Sequence, residues 1–335
     1  MDILISEILM ATEANKKAAW AYTPELPIQS SPMFDWPQPI TRVMKYFFGT
    51  GFLFSQRTLY ALAAAFAWLY AMPELSVAET GSWPWMLQVL LVIFSLNLLF
   101  GWGYHWLFYS SGLNAKQCKF DKRALATNSS RFWFGNQLWD NVFFSLTSGV
   151  FFASLYMVIY MWGYTNGEIV LHTWQDGWVW YVAVFPITVW WTSLHFYLVH
   201  RMMHEWQWLY DKVHALHHKN INIGPWSGMA MHPVEHAIYL SSVLVHLVLP
   251  SDPIHVLFHL IYLFAGAYLG HIGHDGFYIG KRKVFAGGNF YHQLHHRYFD
   301  CNYGTNEVPW DKWFGSFHSG TEEDTQRVRA LKASR

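Results

Sequence analysis

Residues 178–218 read WVWYVAVFPITVWWTSLHFYLVHRMMHEWQWLYDKVHALHH. The run over 178–199 is apolar for roughly the 20 residues that cross a hydrocarbon core, and histidines begin where it stops. His200 and His204, in HRMMH, stand one turn apart on one helix face, so two imidazoles converge on one metal ion. In HALHH, His217 and His218 both neighbour His214 but point about 100° apart. Adjacent histidines there can reach two different ions, as a dinuclear centre needs. The stretch NFYHQLHHRYF, residues 289–299, repeats the spacing with His292, His295 and His296. HPVEH, with His232 and His236, and HIGHD, with His271 and His274, offer further ligands. A single HxxxH is usually an ordinary helical pair; two HxxHH triplets with an HxxxH on a shared face point to metal.

Outward from this stretch, apolar runs of membrane-spanning length occur at 52–72, 86–109 and 142–164. Two shorter runs, 237–249 and 254–270, flank the turn sequence Pro250-Ser-Asp-Pro253 and read as a hairpin that dips in and returns. Segments 73–85 and 165–177 contain Glu74, Glu79, Glu168 and Asp176 and no Lys or Arg. Segment 110–141 holds Lys116, Lys119, Lys122, Arg123 and Arg131, which by the positive-inside rule makes it cytoplasmic. Four crossings and a hairpin then bring both histidine regions out on that side. A single bent span over 237–270 would separate them across the bilayer. The expected fold is an all-α polytopic membrane helical bundle with a cytoplasmic, histidine-rich di-metal cap.

Composition agrees with a bilayer solvent. Of 335 residues, 53% are hydrophobic and 13% charged, about half the charge of a soluble chain. The 20 Trp and 19 Tyr suit the headgroup boundary. Zero net charge gives a nucleic-acid partner no electrostatic support. Cys118 and Cys301 form no CxxC pair and read as buried, inert thiols. The acidic start lacks the basic flank of a signal peptide and reads as a retained arm. Aromatic tracts at 102–109 and 131–134 read as interfacial belts or as the lining of a substrate entrance, with His105 and His172 also interfacial.

Imidazole suits iron, copper, zinc and nickel alike. The count of histidines exceeds what a structural or catalytic zinc site uses, and neutral ligands favour a strongly oxidising centre. Iron working with O2 is the leading reading. A metalloprotease needs HExxH, but His204-Glu205 is followed by Trp208 at the second histidine position. Haem would pair isolated histidines such as His246, His255 and His259, against the clustering at membrane ends. A zinc transporter would want acidic partners at mid-bilayer, where this chain has almost none.

HRMMHEWQWLYDKVHALHH resembles the HRxxH, LY and HxxHH pattern of the fatty acid hydroxylase and sterol desaturase superfamily. HPVEH resembles its His-Pro step, and HDGFY, YHQLHHRYFDCNYG and WDKWFGSF are similar to the end of sterol C5-desaturases. The resemblance covers 180–318. It implies a membrane-embedded di-iron enzyme that hydroxylates or desaturates a lipid, sterol or fatty-acyl in type, with O2 and two electrons. The implied ligands are His200, His204, His214, His217, His218, His274, His292, His295 and His296. The family's histidine four residues before His274 is replaced here by Gly270, so His271 or His232 stands as a tenth. The division expected is an N-terminal arm with extra transmembrane helices over 1–140, a catalytic domain over 141–320 and a polar tail over 321–335. No GxGxxG or iron–sulfur cysteine set is visible, so a separate ferredoxin or cytochrome b5-like protein with its reductase supplies electrons. Lys281, Arg282 and Lys283 offer it a basic dock or anchor to anionic lipid. Membership without turnover, as a metal- or lipid-binding membrane protein, is the competing reading.

Overall fold

The computed structural model describes residues 20–333 apart from 29–30, 50, 53, 114–117, 281, 286 and 288. The N-terminal arm before Trp20, Lys116 and Lys281 therefore lie outside the described residues. The described chain is helical, with one short antiparallel hairpin. In order come α1 (Ile40–Phe47), α2 (Gln56–Tyr70), α3 (Trp83–His105), α4 (Gln137–Phe144), α5 (Val150–Thr165), α6 (Trp178–Glu205), α7 (Ala215–His218), α8 (Pro233–Leu240) and α9 (Pro253–Gly270). The strands β1 (Phe277–Ile279) and β2 (Arg282–Phe285) follow, then α10 (Phe290–Tyr298), α11 (Trp310–Trp313) and α12 (Glu322–Ala333). A π turn extends α3 to Ser110, and another joins α4 to α5.

Among the described residues, four helical runs are long and apolar enough to cross a membrane: Trp83–Ser110, Gln137–Thr165, Trp178–Glu205 and Pro253–Gly270. They are not the same four that the apolar runs suggested. The helix within 52–72 is α2, which has 15 residues and is roughly 22 Å long at 1.5 Å per residue. It nonetheless connects the two ends of the bundle. Its first turn holds Arg57, paired with Glu307 near the histidines, and just beyond its end the Leu75 carbonyl accepts from Thr165 Oγ1 at 3.0 Å.

The same bookkeeping of ends fixes the hairpin. Its tip lies far from the histidines: the His172 amide donates to the Ser251 carbonyl at 3.1 Å, Trp180 Nε1 donates to the Pro250 carbonyl at 2.8 Å, and the Tyr164 and Ser251 hydroxyls are 2.8 Å apart. The chain therefore runs the full depth of the bundle before α9 returns. It does so with few residues because α8 passes into a 3-10 helix over Ser241–Leu247, where each residue rises about 2.0 Å. Asp252 caps α9 by accepting from Ile254 N at 3.0 Å, and Pro253 fills the first helical position, where a missing N–H costs nothing.

At the opposite end, Gln137 Nε2 donates to Asn220 Oδ1 at 2.9 Å and to the Asn222 carbonyl at 2.7 Å. Tyr109 OH contacts the carbonyls of Ile223 and Ile272 at 3.1 and 3.0 Å. The segments after α3, α6 and α9 thus form one cap, and the single bent span is overturned. Beneath it, Ile93, Met157, Tyr160, Phe258 and Phe264 fill a continuous apolar core. Gly228 lies against the Ala267 carbonyl of α9 so closely that a Cβ would collide with it. His105 is buried and stacked on Tyr109, with ring centroids 5.2 Å apart, which replaces the interfacial role expected for it.

Single-cysteine reporters at Glu79 and Glu168 are expected to react with an impermeant thiol reagent from one face of a sealed vesicle. Reporters at Lys122 and Glu323 are expected to react only from the other; one shared face for Glu168 and Lys122 would refute this topology.

Candidate metal centre

Each histidine arrives on an element whose direction its neighbours fix. α6 carries His200 and His204 on its last turns. A π turn over Tyr210–His214 then re-aims the chain so that His214 faces α6, and α7 adds His217 and His218. α10 is started by Asn289, whose side chain accepts from His292 N, and carries His292, His295 and His296. The structure collects nine buried imidazoles into two groups, His200, His204, His214, His218 and His295 in one and His217, His271, His292 and His296 in the other. Within each group the candidate ligand nitrogens lie within 4.8 Å of one another. The groups adjoin, with the His218 and His296 rings 4.8 Å apart.

The backs of the rings decide what the fronts can do. His200 Nδ1 donates to the Tyr303 carbonyl at 2.6 Å and His295 Nδ1 to the Cys301 carbonyl at 2.7 Å. His271 Nδ1 donates to the Ala267 carbonyl at 2.8 Å, and His214 Nδ1 to Glu235 Oε1 at 2.7 Å. A neutral imidazole has one N–H, so in these four Nε2 bears a lone pair. Yet His200 Nε2 and His214 Nε2 are 3.2 Å apart. Neighbouring Nε2 pairs, His204 with His214 and His218, and His271 with His292, stand at 3.0 Å. Where both rings are locked, as in His200 and His214, two lone pairs face each other and repel unless a cation lies between them, and nine imidazoles in two such groups fit two metal ions. His217, His218 and His296 each leave a buried Nδ1 with no hydrogen-bond partner among the described residues.

Burial holds the rings neutral. It pushes His217, His218, His292, His295 and His296 well below the usual imidazole range, and the neighbouring imidazoles push them further. His271 falls to about 4, again through burial, with its bond to Ala267 acting the other way.

Two of the sequence candidates stand apart. His274 is buried, but it belongs to neither group. Its Nδ1 is 2.8 Å from the Ile272 carbonyl, and its ring meets Phe108 and Tyr109 edges at 5.5 and 5.2 Å. Gly273, at φ +69°, turns the chain between His271 and His274, so the two face different neighbours. His232 caps α8, with Nδ1 accepting from Val234 N at 3.2 Å. His236 bonds the Met229 carbonyl and the Ser148 hydroxyl. His246 and His259 lie 3.2 Å from each other, among Thr192, Ser242 and Ser251, as satisfied polar groups of the hairpin.

Sequence reasoning passed over Glu235, although HPVEH contains it. It also passed over Asp311, whose carboxylate accepts from the amides of Tyr303 at 2.9 Å and Gly304 at 2.7 Å and from Tyr291 OH. Asp311 thereby sets the loop whose carbonyl orients His200. Its position in WDKW, downstream of NYG, was the available signal.

The centre opens on a cavity of about 1030 Å³ that reaches from His200, His271 and His292 to Tyr46, Arg57 and Glu307. Tyr104 and Leu107, from the aromatic tract at 102–109, line part of it.

Glu235→Ala is expected to weaken metal binding by about 10- to 100-fold, as loss of a carboxylate behind a ligating histidine does, read by metal titration with circular dichroism unchanged. Acid should destabilise the metal-free protein. Buried His271 and His274 titrate near 4, against an ordinary 6.5, so the unfolded chain binds more protons between those values and the stability held above 6.5 is lost as pH falls toward 4. A melting temperature constant over that window would contradict the assignment.

Residues 184–316 match the fatty acid hydroxylase family. Among curated proteins, a Delta(7)-sterol 5(6)-desaturase of Eremothecium gossypii is 34% identical over 133 residues, 39% of this chain and 36% of the relative. A Saccharomyces cerevisiae protein of the same description is 31% identical over 129 residues, 38% of this chain and 34% of the relative. A Delta(7)-sterol-C5(6)-desaturase of Nicotiana tabacum is 30% identical over 155 residues, 45% of this chain and 56% of the relative. The chain thus spans about a third to a little over half of the length of these relatives. No solved structure matches. The segment that carries the histidine groups is thus similar to the fatty acid hydroxylase family and to sterol desaturases.

Proposed function

We propose that this protein is a membrane-bound oxidoreductase that holds two iron ions and uses O2 to hydroxylate or desaturate a lipid of sterol or fatty-acyl type. The observation that carries the reading is two adjoining groups of buried imidazoles at the end of an apolar bundle, opening on a cavity of lipid size. Nine neutral nitrogen donors suit iron, and a zinc site of three or four ligands would not need them. The names of the similar proteins favour a sterol and desaturation.

His200, His204, His214, His218 and His295 hold one ion in this reading, and His217, His271, His292 and His296 the other. His271 thereby takes the further place left open in the sequence, while His232 and His274 serve as a helix cap and a packing residue. Bound iron supplies the redox chemistry with O2 needed to break an unactivated C–H bond. The protein's part is geometric. The carbonyls of Ala267, Cys301 and Tyr303 and the Glu235 carboxylate keep His271, His295, His200 and His214 aimed inward, so these four rings hold their orientation during turnover. The cavity wall from α2, α3, α6 and α9 excludes water and fixes which carbon of the lipid faces the rings. Residues 141–320 form the catalytic unit, with the earlier helices adding the outer wall.

The histidine end faces the cytoplasm of a bacterial inner membrane or of the endoplasmic reticulum, since Lys119, Lys122, Arg123 and Arg131 lie at that end. A separate ferredoxin or cytochrome b5-like protein supplies electrons there. Exposed Lys122 and Arg282 are available to meet it; Lys283 is engaged with Asp275 at 2.7 Å.

Cells with the intact chain are expected to accumulate a lipid shifted by one added oxygen or by loss of two hydrogens, and the purified protein to carry about two irons per chain. Absence of any such lipid from aerobic cells with the electron donor present, or full activity without iron, would sink the proposal.

A further inference from the structure

A cavity that serves the histidines must admit its lipid somewhere, and the exposure of its wall shows where. Among the described residues that line it, Phe54, Leu59 and Val284 are 64, 54 and 51% exposed. The other exposed lining residue is Gly51, while every polar side chain on the wall is buried or half-buried. A mouth that opened into water would set large hydrocarbon groups against it at a cost. The surface around this one is apolar as well. Leu59 begins an outward stripe on α2 that Leu62, Phe66 and Leu69 continue, all exposed, at the spacing of one helix face. Ile40, Met44 and Phe48 recur every fourth residue along α1 and are exposed, with exposed Arg42 and Lys45 among them. On the inner side of α1, Phe47 packs on Phe52 and Trp190 with ring centroids 4.9 and 5.0 Å away. This is the pattern of a helix lying in the boundary layer of a leaflet, and Tyr46 on the same helix lines the cavity.

From the mouth a strip of α9 leads to the histidines. Tyr262, Gly266 and Gly270 line the cavity and share one face of that helix. Tyr262 lies against Tyr60, the neighbour of Leu59, with ring centroids 6.3 Å apart, and Gly270 directly precedes His271. A Cβ at Gly266 or Gly270 would meet no atom within 4 Å, so both face open space. The eight residues from Tyr262 to Gly270 rise about 12 Å, a distance that the body of one lipid covers.

We propose that the lipid substrate enters sideways from the leaflet on the histidine side, through the mouth rimmed by Phe54, Leu59 and Val284, and advances along the glycine strip of α9 toward His271. This rests on the lipid-oxidising reading above and adds a substrate class to it. The substrate is a lipid dissolved in the bilayer, a free sterol or a membrane acyl lipid, and not an acyl group brought through water on a soluble thioester. A charged carrier would have to settle against the apolar rim at the membrane, where charge is costly.

The test uses the full-length, metal-free protein in phosphatidylcholine nanodiscs. Phe54→Cys, Leu59→Cys and Val284→Cys each carry a fluorophore, the native Cys118 and Cys301 being buried. All three reporters are expected to lose fluorescence to doxyl-labelled phosphatidylcholine and to be shielded from aqueous iodide, with Lys122→Cys showing the reverse. In parallel, diazirine-bearing cholesterol or phosphatidylcholine is dissolved in the nanodisc, or diazirine-bearing palmitoyl-coenzyme A is added to the water, and the sample is illuminated. At least one bilayer probe is expected to label the α9 peptide about tenfold more than the water-borne probe, and Leu59→Glu to cut that labelling about tenfold, as a charge placed at the membrane does. Leu69→Glu, on the same stripe but about 15 Å away along α2, is expected to leave the labelling unchanged. Rim reporters quenched by iodide and not by the doxyl lipid, α9 labelling indifferent to Leu59→Glu, or equal labelling by the water-borne probe overturns the proposal. If Leu59→Glu does not fold, the quenching and the comparison of probes decide. No iron is present, so these outcomes do not depend on turnover: iron-dependent lipid oxidation by a protein whose rim faces water refutes this inference and leaves the proposed function standing.

Discussion

The fold is organised by one electrostatic constraint, that unprotonated nitrogens of buried histidines are made to face one another. Four rings, His200, His214, His271 and His295, are locked from behind by acceptors that take their only N–H. Turning any of them would strand a buried N–H and lose a bond to a fixed carbonyl or carboxylate. The protein therefore carries a lone-pair arrangement that is unfavourable by itself and becomes favourable around cations. Its stability and its capacity to bind metal are two aspects of the same geometry.

That geometry needs three distant parts of the chain at one end of the bundle. α6 delivers the first pair, the π turn before α7 redirects the next three, and the full-depth hairpin of α8 and α9 returns the chain so that His271 and α10 can close the centre. The hairpin is short because its descending arm stretches into a 3-10 helix. The ring-locking carbonyls have their own support. Asp311 gathers the amides of Tyr303 and Gly304, which ties α11 to the orientation of His200. The consequence is a histidine-rich cap over a cavity whose outer wall, including Arg57 and Tyr104, comes from helices before residue 140.

Much of this was legible beforehand. The period of the apolar runs marked the bundle, the charge difference between connecting segments grouped the loops, and the two HxxHH triplets with the HxxxH pair named eight of the nine clustered histidines. The readings that fell short did so where a contact distant in sequence decides. Nothing local separates His271 from His274; the positive φ of Gly273 aims one at the centre and the other at Tyr109. His105 looked interfacial because its neighbours are aromatic, yet stacking on Tyr109 buries it. Glu235 sat in a quoted motif, but its role exists only because His214, 21 residues earlier, turns back toward it.

By itself, then, the sequence determined the solvent of the fold and its ligand chemistry, since apolar length and imidazole spacing act through local periodicity. Tertiary structure alone decided how the imidazoles divide into two groups, which acceptors fix their tautomers, and that Arg57 meets Glu307 across 250 positions. Those relations depend on where helices end relative to one another, and that is set by packing of the whole bundle, which no short stretch of residues encodes.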